Sequence, residues 1–70
     1  MYKGIEKFNK AIEIQNDYID AHLERGRMWK VLGKTNKAQA DIEKARRLAL
    51  KNPKANAKIL EKINQELKKF

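Results

Sequence analysis

Few side chains in this chain could do covalent chemistry. It holds one histidine, His22, and no cysteine. Serine is absent, and the one threonine is Thr35. Nucleophilic catalysis through a hydroxyl or thiol is therefore left almost without candidates. His22 could act as a general base, but with no second histidine for a metal it reads as a partly buried or surface side chain in a predicted helix. Asp17, Asp20 and Glu24 are spaced three and four apart. Such carboxylates can attract a cation, yet no loop of oxygen ligands surrounds them, and Asp17 reads as a helix cap. The three glycines are isolated, so no phosphate-cradling loop is present. The reading is a non-enzyme, with no catalytic residues, no metal and no cofactor.

What remains is charge. Seventeen Lys and Arg face nine Asp and Glu, giving a net charge of +8 and a pI near 9.9. Such a balance favours acidic partners or polyanions and also serves solubility. Arg46, Arg47, Lys51, Lys54, Lys58, Lys62 and Lys69 could contact phosphates. No aromatic residues interleave them as a single-strand platform requires, and no base-reading motif is evident. Nucleic-acid binding is thus the second reading of function.

The elements that position these residues are helical. Apolar residues recur at three and four, predicting helices over about residues 2–15, 18–32, 36–51 and 54–69. Ile5, Phe8, Ala11 and Ile12 form one stripe, and Ile59, Leu60, Ile63, Leu67 and Phe70 another. Asn16-Asp17 breaks the first pair of helices. Gly33-Lys34-Thr35-Asn36 breaks the second, with a helix-stopping glycine followed by polar residues able to cap the next start. Asn52-Pro53 closes the third. Seventy residues bound a single small domain. Apolar runs of two or three residues cannot cross a membrane, and no signal-like apolar core opens the chain. The cytoplasm is the favoured compartment.

Residues 21–45 carry the most specific pattern. Gly26 precedes Trp29 by three, Gly33 stands at the turn, and Ala38, Ile42 and Ala45 follow along the next helix. This resembles the tetratricopeptide repeat, a helix-turn-helix unit of 34 residues. Arg25 departs from the leucine usual at its position, and proline arrives only at Pro53. A shift of 34 places Phe8 on Ile42, Ala11 on Ala45 and Gly4 on Ala38. The resemblance implies an all-α, short solenoid of stacked antiparallel hairpins. Its parts would be the second helix of an incomplete repeat (2–15), one complete repeat (18–51) and a capping helix (54–69). Trp29 would be hairpin core.

The same resemblance implies a protein–protein interaction scaffold, its concave wall made mainly by the first helix of each repeat. Carried over by position, that wall would hold Asp20, Leu23, Glu24, Arg27 and Lys30, with Lys54, Ala57, Lys58 and Glu61 added by the last helix. Lys54 and Lys58, one helical turn apart, would suit a carboxylate of an acidic peptide, although Glu24 stands where the family's carboxylate-holding subset has asparagine. The first helix lacks its hairpin partner, leaving Ile5, Phe8, Ile12 and Ile14 partly uncovered. The expectation is an excerpt of a longer array, the alternative a homodimer through that helix.

Overall fold

The computed structural model describes residues 2–70, with side chains from Ile5 onward; Met1 and the surroundings of Gly4, matched in sequence with Ala38, lie outside that range. The described chain is all-α: α1 Tyr2–Ile14, α2 Ile19–Val31, α3 Thr35–Ala49 and α4 Ala57–Leu67. Among the described residues no helix is long and apolar enough to cross a membrane.

α2 is the central element. It packs most extensively on α3, then on α1, and also touches α4, whereas α4 rests mainly on α3. This position explains a weakly amphipathic sequence, since a helix with neighbours on several sides needs no single apolar stripe. It buries Ala21, His22, Leu23 and Gly26. The core joins Leu23 of α2, Ile42, Ala45 and Ala49 of α3 and Ile63 of α4, flanked by half-buried Ile19, Ile59, Leu60 and Leu67.

Two glycines make the α2–α3 hairpin. Gly26 lets the backbones approach, because a Cβ there would stand 2.6 Å from Ile42 Cγ1 and 3.1 Å from the Ala38 carbonyl oxygen. Gly33 takes φ +78°, which glycine adopts without steric cost. The Gly33 N–H donates to the Lys30 carbonyl at 3.0 Å and the Lys34 N–H to that of Trp29 at 2.8 Å, a Schellman closure of α2. Lys34 rather than Thr35 or Asn36 is the N-cap of α3, and Tyr18 rather than Asp17 that of α2; neither makes a side-chain capping bond.

The last connection differs most from the sequence expectation. α3 ends at Ala49 and α4 starts at Ala57, three residues after the predicted Lys54. Pro53 pushes Asn52 out of helical conformation, and the final α3 carbonyls are met locally: Lys51 N–H donates to Leu48 O and Asn52 N–H to Ala49 O. Asn56 Nδ2 also donates to Ala49 O at 3.2 Å. A closed turn therefore occupies residues 51–56, and Lys54 lies in it rather than on the helix with Lys58.

One packing expectation is also corrected, and a second only at Ile5. Trp29 is half-buried instead of central, its ring at the α2–α3 edge beside exposed Ala40, with Lys37 Nζ 4.7 Å from the ring centroid. Of the α1 side chains expected to be partly uncovered, Phe8 and Ile12 are half-buried and Ile14 is exposed, whereas Ile5 is buried.

Candidate functional site

The most constrained polar cluster lies where α1, α2 and α3 meet. Arg25 Nε and Nη2 donate to the two carboxylate oxygens of Asp41 at 2.7 and 2.6 Å, and Nη1 donates to Asn9 Oδ1 at 2.9 Å. Asp41 is buried to 7 % exposure, so its charge needs this partner. The hydrogen bond to Asp41 holds the Arg25 pKa above its ordinary value; burial works against this, and Coulombic attraction by Asp41 adds to it. Beside them, His22 is 5 % exposed. Its Nε2–H donates to the Asn16 carbonyl at 2.8 Å, tying down the α1–α2 turn. Its Nδ1 has no hydrogen-bond partner and lies 3.8 Å from Asp41 Oδ1. The cluster joins three helices, and its Arg25 and Asp41 border a surface depression with Trp29 and Lys37.

The second cluster is open. Between α2 and α4 lies a cleft lined by Leu23, Arg27, Lys62, Gln65 and Glu66. Glu66, whose side chain is 14 % exposed, accepts three cations: Arg27 Nε at 3.6 Å, Lys30 Nζ at 3.7 Å and Lys69 Nζ at 3.6 Å. Lys30 Nζ also sits 5.4 Å from the centroid of Phe70. Lys62 lines the same cleft. Arg27 additionally meets Glu24 at 3.2 Å. An anionic group entering here meets amines and a guanidinium, with Leu23 beneath.

The residues expected on one wall divide among several places. Arg27 and Lys30 stand together at the α2–α4 cleft. Leu23 forms part of the core and only the floor of that cleft. Asp20 and Glu24 line a different opening, between α1 and α2, with Lys7, Phe8, Ala11, Tyr18 and Ala21. Lys58 and Glu61 are exposed on α4, Lys58 one turn before Lys62 on the same stripe. Lys54 lies in the turn that precedes α4 and Lys58 in the first turn of that helix.

Three residues central to these clusters escaped the sequence reading. Asp41 and Glu66 look like ordinary solvated helix positions, and Asn9 like a surface amide. Only Arg25, standing where an apolar residue was expected, signalled a buried polar contact. Among the described residues no three His, Asp or Glu side chains gather to hold a metal ion. Comparison with models of known families, with curated proteins and with solved structures gives no significant match.

Proposed function

We infer that the chain is a non-catalytic protein–protein interaction scaffold of tetratricopeptide-repeat type, which holds an acidic peptide or helix against the α2–α4 cleft. The observation that carries this reading is the convergence of Arg27, Lys30 and Lys69 on Glu66 above Leu23. Arg27 and Lys30 stand on α2 and Glu66 on α4, so their spacing is set by helix packing, while Lys69 lies in the turn just after α4. Arg27 and Lys69 are exposed while Glu66 is 14 % exposed, so a partner carboxylate can share the outer side of these cations with Glu66 still paired, while an apolar side chain rests on Leu23. The repeat reading is supported by the close α2–α3 approach at Gly26 and by the Schellman closure at Gly33. α1 then corresponds to the second helix of a preceding unit, and α4 to a terminal cap.

Selection of peptides from a random library on the intact chain, counter-screened against Arg27→Glu/Lys30→Glu, tests the reading. Selected peptides should carry Asp or Glu beside an aliphatic residue, and should lose at least about tenfold in affinity for the double variant, the scale of one charge-assisted contact. Peptides that bind both proteins equally, or a selection that yields none, would refute it.

A further inference from the structure

The molecule's cations are sorted into two populations. Arg25 is matched by Asp41, and Arg27, Lys30 and Lys69 converge on Glu66. From Lys44 to Leu60, by contrast, the chain carries six cations and no acid: Lys44, Arg46, Arg47, Lys51, Lys54 and Lys58. This stretch supplies +6 of the net +8, leaving eleven cations against nine acids for the rest of the chain. All six side chains are exposed. They cover the second half of α3, the turn after it and the first turn of α4. Among the described residues no salt bridge joins any of them to a carboxylate within 4.0 Å.

We propose that this α3–α4 corner is a docking surface for the phosphate backbone of double-stranded nucleic acid, separate from the α2–α4 cleft and independent of the function assigned to it. Among the described residues none of these cations is held in a salt bridge, with Glu43 the acid beside Arg46 and Arg47, and the charge extends over two helices and their connection. Along α3 alone, Lys44 to Arg47 spans about 4.5 Å at 1.5 Å per residue, and Lys51, Lys54 and Lys58 carry the charge on through the turn into α4. A duplex presents one negative charge per about 1.7 Å of its axis, so several cations can be matched at once without a shaped pocket. The corner offers no such pocket for a peptide: the depression on α3 is lined by Glu43, Arg46 and Arg47, with no apolar anchor. It is equally poor as a membrane surface. Leu50 is the one large apolar side chain exposed among the cations, whereas a helix lying in a bilayer interface presents a whole apolar face. With no aromatic residue between Lys44 and Leu60, base stacking has no platform, which favours duplex over single strand and predicts no sequence preference.

The test is fluorescence anisotropy of a random-sequence DNA duplex of about 20 base pairs, titrated with the intact chain at about 50 and about 200 mM salt. Six phosphate contacts give a log–log salt slope near −5, a loss of roughly a thousandfold over that interval. Arg46→Gln/Arg47→Gln/Lys51→Gln should weaken binding at low salt by more than about tenfold and roughly halve the slope. Lys7→Gln/Lys10→Gln/Lys34→Gln, which removes the same net charge from elsewhere, should weaken binding less than about threefold. Lys54→Gln/Lys58→Gln leaves α3 intact and should show an intermediate loss, which keeps the test decisive if the α3 variant does not fold. Equal weakening by the corner and control variants would overturn the proposal. So would a salt-independent affinity, or binding to phosphatidylserine vesicles without binding to duplex.

Discussion

Arg25 and Asp41 lie sixteen residues apart on different helices, yet the guanidinium spans both carboxylate oxygens at 2.7 and 2.6 Å. Planar fork geometry makes this the strongest polar contact between α2 and α3. It is also directional in its consequences. Arg25→Leu leaves a carboxylate of 7 % exposure without its cation and is expected to destabilise the fold by about 3 kcal/mol, the scale for breaking a buried pair. Arg25→Leu/Asp41→Leu removes both charges and should recover most of that loss. Urea denaturation followed by circular dichroism measures all three proteins. A double variant no more stable than Arg25→Leu would show that the ion pair is not what the single change removes.

The Gly26–Ile42 contact gives a second expectation. Alanine is the better helix former by about 1 kcal/mol, so an exposed glycine in α2 would be improved by substitution. Here the added methyl meets Ile42 Cγ1 at 2.6 Å and the Ala38 carbonyl at 3.1 Å, and neither Ile42, fully buried, nor backbone can yield easily. Overpacking of about 1–3 kcal/mol should win, and Gly26→Ala should lower the melting temperature. In an Ile42→Ala background the closest obstruction is gone while the Ala38 carbonyl at 3.1 Å remains, and the same substitution should then cost clearly less. If Gly26→Ala raises the melting temperature in the original background, the helices are not held as close as described.

These two contacts also mark how far the sequence could be read. The hairpin was legible because small residues at Gly26, Ala38 and Ala45, with Gly33 at the turn, have a local cause: close helix approach and a left-handed turn leave a signature in residue type and spacing. Asp41 had none. A carboxylate on a helix looks the same whether it faces water or a guanidinium from a neighbouring helix, and only the packing decides. Glu66 was hidden for the same reason. Lys54 was misplaced because the apolar period of α4 is set by Ile59, Leu60 and Ile63 and says little about where the helix begins; that depended on Asn56 reaching back to the Ala49 carbonyl. Trp29 was read as core from its pattern, but burial depends on what lies over the edge of α2 and α3, and there the ring has Lys37 for company.

Ile63 is the last test of how the parts cohere. It is the one buried residue of α4, fully enclosed at 0 % exposure, and it belongs to the same cluster as Leu23, Ile42, Ala45 and Ala49. Ile63→Ala should cost about 2–5 kcal/mol. At about 0.05–0.15 kcal/mol per residue, a chain of this size has no more than roughly 10 kcal/mol in all. Much of its stability would therefore go with one side chain, whereas Ile63→Val should cost only about 0.5–1.5 kcal/mol. Because the cluster spans α2, α3 and α4, the loss should be cooperative: Trp29 fluorescence, which reports the α2–α3 edge, and far-ultraviolet circular dichroism, which reports all four helices, should melt at one temperature in both variants. If α4 instead frays while the Trp29 signal persists to the original melting temperature, the last helix is an appendage and Ile63 does not tie it into the common core.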